Sequence, residues 1–286
     1  MGRSNYEYPG YERSGTTYWT KTTLLYVAVV GTALLWSLPF WWTLATSLTS
    51  DPSTTSVALA PNDLTFEHFN SLFETQPVGK WFLNTVIFAG SVTAFNLVFD
   101  SLAGYALAKI DFVGRDKLFL LFVSTMMIPG MVTLIPVYVL LSELGWVNTY
   151  QGLIAPLIAQ PIGIFLLRQH FKSMPSALGE AARIDGCNEF QTFYKVYLPL
   201  AKPALATLGI YTFITTWNNF EWPLIISSGS EMYTLPVALF SVRNEYFTEW
   251  GIVMAAAVVV VLPVILVFLS AQRYFIEGMT LSGMKG

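Results

Sequence analysis

Residues 251–269 read GIVMAAAVVVVLPVILVFL, without one charged side chain. A helix of about 20 apolar residues spans the ~30 Å hydrocarbon core of a bilayer, so this stretch predicts a membrane helix. Five more segments of similar character precede it, at Leu24–Leu48, Trp81–Ala108, Leu118–Leu141, Gly152–Leu167 and Ala204–Ile226. The expected fold is an all-α integral membrane protein with six transmembrane helices. The composition agrees, because 54% of the 286 residues are hydrophobic and 12% are charged, against about a quarter charged in soluble domains. Pro156 and Pro161 interrupt the fourth segment, Pro129 and Pro136 the third, and Pro263 the sixth. Such breaks persist in lipid where neighbouring helices satisfy the freed backbone groups. The six helices should therefore form one bundle.

Orientation follows from the basic residues. Of the 15 Lys and Arg side chains, all but Lys80 and Arg243 fall on one side of the expected bilayer. Cytoplasmic loops retain Lys and Arg, which places both termini and the loops after the second and fourth helices in the cytoplasm. The chain then divides into a cytoplasmic N-terminal segment (1–23), a membrane domain (24–270) and a cytoplasmic tail (271–286), with an outer loop at 49–80 and an inner loop at 168–202. The first apolar run is too long for a signal peptide, and Ala58-Leu59-Ala60 lies well past it, so this helix is expected to be retained.

Several function classes are disfavoured. A net charge of −3 gives no argument for nucleic acid. The single cysteine, Cys187, cannot form an internal disulfide, and His68 and His170 are too far apart in sequence to suggest a metal site. No G-x-x-x-x-G-K-[ST] string is present, so ATP hydrolysis by that route needs a separate subunit. No catalytic or metal-binding residue is assigned.

The two long loops carry helical patterns. In the outer loop Phe66, Phe69, Leu72 and Phe73 share one face, with Asn62, Asp63 or Thr65 able to cap it. That helix is expected either to lie on the lipid or to form a lip around an external docking surface. In the inner loop Pro175 and Ser176 can start a helix, and Gly186 can stop it in the left-handed conformation. Asn188 can cap a second helix, on which Phe190, Phe193, Tyr194, Tyr197 and Leu198 form one apolar face, and Pro199 and Pro203 end it. A plain connector needs only a few polar residues. Two helices meeting at a glycine make a rigid knob instead.

The same loop reads Glu180-Ala181-Ala182-Arg183-Ile184-Asp185-Gly186, then Val196, then Leu198-Pro199. It resembles the EAA loop of binding-protein-dependent ABC importers, and the longer string is similar to the carbohydrate branch of that family. Met127–Pro136, Gly145–Tyr150, Thr216-Trp217-Asn218, Trp222-Pro223-Leu224 and Gln272–Gly278 with Lys285-Gly286 extend the likeness over nearly the whole chain. The resemblance implies a maltose-type permease subunit with six spans. It implies a second permease, two ATPase subunits that bind ATP and Mg, and an extracytoplasmic sugar-binding protein. It further implies that Glu180, Ala181, Ala182, Arg183, Asp185, Gly186, Leu198 and Pro199 form a coupling helix region seated on an ATPase subunit. Glu180 would pair with a basic group there, and Ala181 and Ala182 would allow close approach. Two departures stand out. Cys187 takes a position usually filled by a small residue, and Asn219 sits where an acidic residue is common, with Glu221 two residues later.

Polar residues at membrane depth supply candidates for a substrate pathway. Asp100 is ionisable within the second span, and such groups are expensive there. It has either a structural or gating role in the bundle, or reaches headgroups near the cytoplasmic end. Asn218, Asn219 and Glu221 cluster between Trp217 and Trp222. This is either a sugar-contacting patch of polar groups and aromatic faces, or an aromatic belt with interhelical hydrogen bonds. Tyr105, Trp41 and Trp42 are expected to be packing or belt residues rather than ligands. An ABC permease for a phosphorylated polyol, an ion-coupled secondary transporter and an intramembrane enzyme are the competing readings.

Overall fold

The computed structural model describes residues 16–50, 63–246 and 249–283, with backbone only for 16–18 and 271–283. Lys285 and Gly286, named above, lie outside the described residues. The described chain is all-helical apart from its turns and one isolated antiparallel bridge between Thr49 and Leu64.

Three helices are long and unbroken: α1 (Thr16–Ser47), α3 (Val78–Lys109) and α14 (Trp250–Gly283). Between α1 and α3 lies the short α2 (Glu67–Thr75). After α3 come α4 (Arg115–Thr125), α5 (Gly130–Glu143), α6 (Tyr150–Ile154) with a 3₁₀ turn at Ala155–Leu157, and α7 (Pro161–Ser173). The inner loop holds α8 (Ala177–Ile184), α9 (Glu189–Thr192), a π turn at Phe193–Tyr197 and α10 (Leu198–Leu200). Then follow α11 (Lys202–Trp217), α12 (Glu221–Ile226) and α13 (Leu235–Glu245).

The proline-interrupted segments are split into separate helices, and the fifth segment is shorter than expected. The third segment is two helices, α4 and α5, bent by 97°, and the fourth is Tyr150–Leu157 and α7, bent by 42°. Proline causes both breaks, since it lacks an N–H and pushes the preceding residue out of the helical conformation. Pro129 is extended at the start of α5, and Gln160 is extended just before Pro161. The fifth segment stops at Trp217. Its helix α11 has 16 residues, about 24 Å of rise, short of the hydrocarbon thickness. By length and apolarity the described residues supply three spans, or five when each bent pair counts as one.

Helix α3 is the central mast, and its residues enter all three buried clusters. Trp81 and Ala89 pack with Leu235, Ala238, Ile252 and Ala255 of α13 and α14. Phe88 and Val92 pack with Leu141, Leu153 and Trp222. Tyr105 packs with Leu167, Phe171, Phe193 and Tyr197. Lipid tails are as apolar as leucine, so close packing and hydrogen bonds hold such helices together. Gly104 of α3 lets α7 approach until an added Cβ would sit 3.0 Å from Leu167 Cβ. By contrast α1 packs along α14 and otherwise exposes its apolar side chains.

The outer-loop helix is partly as expected. Leu72 is buried against α14 and Phe69 is half-buried, whereas Phe66 and Phe73 are exposed. Its start is held by Thr65 Oγ1, which accepts from Glu67 N at 3.1 Å.

Candidate functional site

The inner loop is built by two local stops. α8 ends in a Schellman turn: Cys187 N donates to Ala182 O at 2.9 Å and Gly186 N to Arg183 O at 3.0 Å. This closure needs a left-handed residue, and Gly186 has φ 83°. Cys187 thus completes the turn with its backbone. Asn188 then opens α9 with a reciprocal capping box, its Oδ1 accepting from Gln191 N at 2.8 Å while Gln191 Oε1 accepts from Asn188 N at 3.0 Å. Ser176 precedes α8 without a side-chain cap.

The expected single apolar face does not form. The π turn at Phe193–Tyr197 shifts the register, so Phe193 and Tyr197 are buried while Phe190 and Tyr194 are exposed. Exposed Ile184, Phe190 and Tyr194 therefore present apolar surface outward, beside exposed Glu180, Ala181 and Pro199. Ala182 is 5% exposed and packs inside the knob, so the close approach expected of it is made within this chain. Gly179 faces Tyr197, whose hydroxyl would lie 2.9 Å from an added Cβ.

Polar links tie the inner loop to α3, brace the knob internally and join α7 to α3. Arg183 Nε donates to Glu189 Oε1 at 2.8 Å, and Tyr105 Oη of α3 donates to Glu189 Oε2 at 3.1 Å. Lys109 Nζ donates to Met174 O at 2.6 Å and lies over the Tyr197 ring. Arg168 Nε donates to Leu107 O at 3.1 Å, with its guanidinium 3.7 Å from the Phe119 ring centre. The Arg183 hydrogen bond holds the Glu189 carboxyl below its usual range and raises Arg183 in return. Burial pushes the Tyr197 phenol up. Tyr105 packs as expected, with rings of Phe193 and Tyr197 at 5.1 and 5.4 Å. Its hydroxyl link to Glu189, and the bonds of Lys109 and Arg168, are not legible from spacing, because each partner is remote in sequence.

The candidate pathway residues separate into two groups. Trp217 is 1% exposed and its indole N–H donates to Val260 O at 3.1 Å. Trp222 is buried with its N–H on Leu153 O at 3.1 Å. Both rings are engaged in packing and do not bracket an open patch. Asn218 ends α11, Nδ2 donating to Ile214 O at 2.8 Å, and Asn219 Oδ1 accepts from Trp222 N at 3.3 Å. Asn218 and Glu221 are exposed at this break, whereas Asp100 is wholly buried elsewhere, against α7. Among the described residues no cluster of three His, Cys, Asp or Glu side chains could hold a metal ion.

Sequence comparison gives this fold a family. Residues 100–281 match the binding-protein-dependent transport system inner membrane component. The chain belongs to this family. It is 40% identical over 227 residues to the arabinooligosaccharides transport system permease protein AraQ of Halalkalibacterium halodurans, covering 79% of this chain and 81% of the relative. It is 35% identical over 288 residues to AraQ of Bacillus subtilis, covering 100% of both. Among solved structures it is similar to a chain from a bacterial ABC transporter involved in the import of the acidic polysaccharide alginate. That match has a TM-score of 0.82 and 26% identity, over 92% of this chain and 99% of the other. The chain is thus a membrane-spanning permease component, which sets aside the secondary-transporter and intramembrane-enzyme readings.

Proposed function

We propose that this chain is one of two permease subunits of an ATP-driven importer for a sugar or oligosaccharide, coupled to its ATPase subunits through the α8–α9 knob. The observation that carries the reading is the knob itself. It is stiffened by a Schellman turn and a capping box, presents exposed Ile184, Phe190 and Tyr194, and is fastened to α3 and α7. Glu180, Ala181, Arg183, Asp185, Gly186 and Pro199 are exposed on the knob, Leu198 is half-buried and Ala182 is buried; in this reading they form the coupling region. ATP and Mg would be bound by the two ATPase subunits, and their closure would move α3 and α7 as one body.

In this reading the bent pairs and the α11–α12 pair each count as one span, giving six, with both termini and the knob cytoplasmic. The segment 1–23, the permease body 24–270 and the tail 271–286, including Lys285 and Gly286, keep the division read from the charge pattern. Sugar delivered by an extracytoplasmic binding protein would pass the break beside Asn218, Asn219 and Glu221. The relatives named for arabinooligosaccharide transport support a carbohydrate substrate.

The test is purification of the tagged chain from native membranes in mild detergent, with co-purifying proteins identified by mass spectrometry. Recovery of an ATPase, a second permease and a sugar-loaded binding protein is expected. Recovery of this chain alone, transporting in proteoliposomes without ATP, would contradict the proposal.

A further inference from the structure

Asn96 and Asp100 of α3 are wholly buried, one turn apart on the same face, and both meet the break in the fourth span. Pro161 has no N–H, so the carbonyl of Leu157, four residues earlier, lacks its helical donor. Asn96 Nδ2 donates to that carbonyl at 2.6 Å. Gln160 is extended between the two helical pieces, and its N–H is accepted by Asp100 Oδ1 at 3.0 Å. On the next turn Gly163 leaves room for the carboxylate, because a Cβ there would overlap Asp100 Oδ2. One donor and one acceptor from α3 thus serve a carbonyl and an N–H that the proline break leaves open. No water is present in hydrocarbon to serve them instead.

We propose that Asn96 and Asp100 are positioning residues, a two-point splint that fixes the 42° bend between Tyr150–Leu157 and α7 and thereby sets where α7 holds the coupling knob. The lever makes the angle matter. α7 has 13 residues, about 20 Å, so an error of about 10° at the break moves the knob by roughly 3 Å. The proposal rests on the coupling role given to the knob, but the splint itself is measurable without it.

The test uses the full complex with its partner subunits in proteoliposomes, in a Cys187→Ala background. Spin labels at Gln151→Cys and Gln169→Cys, both exposed, report the bend by pulsed electron resonance, beside uptake per ATP hydrolysed. Asn96→Leu should broaden or shift the distance distribution and lower uptake per ATP roughly tenfold. Pro161→Ala restores the N–H at 161 and should make Asn96→Leu nearly silent. Asp100→Asn keeps an acceptor oxygen and should retain distance and uptake, whereas Asp100→Leu should behave as Asn96→Leu. Equal damage by Asn96→Leu with and without Pro161→Ala would overturn the splint. So would equal damage by Asp100→Asn and Asp100→Leu, the pattern of a group needed for its charge. The expected distances in a complex whose uptake is not driven by ATP would support the splint and overturn the coupling reading.

Discussion

The α8–α9 knob and the bent pair of Tyr150–Leu157 and α7 each stop one helix and start another within a few residues, and they do so by opposite means. In the knob every partner is local: Gly186 and Cys187 donate back to Arg183 and Ala182, and Asn188 exchanges hydrogen bonds with Gln191. In the bent pair the partners come from α3, with Asn96 serving Leu157 and Asp100 serving Gln160 across some sixty residues of chain. The difference lies in the solvent. A turn in water needs only neighbours in sequence and water for the remaining groups, whereas a turn in lipid must borrow from another helix. The knob's stops therefore depend on its own residues, whereas the break before α7 depends on α3.

The comparison can be broken most severely at the seam. Gly163→Leu would drive a side chain into the Asp100 carboxylate, part α3 from α7, and destabilise the protein by about 3 kcal/mol or more. Thermal unfolding of the detergent-solubilised complex, followed by size exclusion, reads this loss. At the knob, Gly186→Val places a β-branched residue at φ 83° and should cost about 1–2 kcal/mol. The mechanical reading adds that uptake per ATP falls while assembly persists, with Gly186→Asn milder. Asn188→Ala removes the cap of α9 at a cost of about 1 kcal/mol, and Asn188→Asp should recover most of it, both read as shifts in melting temperature.

The smallest effect belongs to the exposed Arg183–Glu189 pair, on the order of 0.5 kcal/mol. Glu189 is held below its ordinary value, chiefly by the Arg183 hydrogen bond. Its stabilisation is therefore fully present above the unfolded value near 4.5 and is lost as pH falls through the lower folded value. Limited proteolysis of the loop should quicken below pH 4.5 in the native chain and show less pH dependence in Glu189→Gln.

The knob was largely legible in the sequence because its stops are chemical types with fixed local consequences, glycine at Gly186 and a capping asparagine at Asn188. The proline breaks were legible as positions but not as angles. Pro129 and Pro161 say that a helix cannot continue, while the 97° and 42° bends are set by what packs around them. The splint was not legible. Asn96 looks like any polar residue in an apolar run, and Asp100 reads in sequence as a charge, whereas the contact seen is its Oδ1 accepting from Gln160 N. For the paired tryptophans the reading with interhelical hydrogen bonds fits, and the open patch does not. Trp217 and Trp222 flank polar residues in sequence, yet each ring turns away to hydrogen-bond a carbonyl of another helix. The π turn at Phe193–Tyr197 likewise defeated a periodicity of 3.6, splitting one expected face into a buried and an exposed half.

The most direct test of the coupling role is a cross-link from the knob's outer face. Phe190 is 66% exposed, so a photoreactive probe on Phe190→Cys, in the Cys187→Ala background, should capture the ATPase subunit in the intact complex. The same probe at Phe73→Cys, on the outer-loop helix, should not. Capture at Phe190 with a yield that changes on ATP binding is the predicted result. ATP-driven uptake in a complex where Phe190 never meets the ATPase would contradict the account.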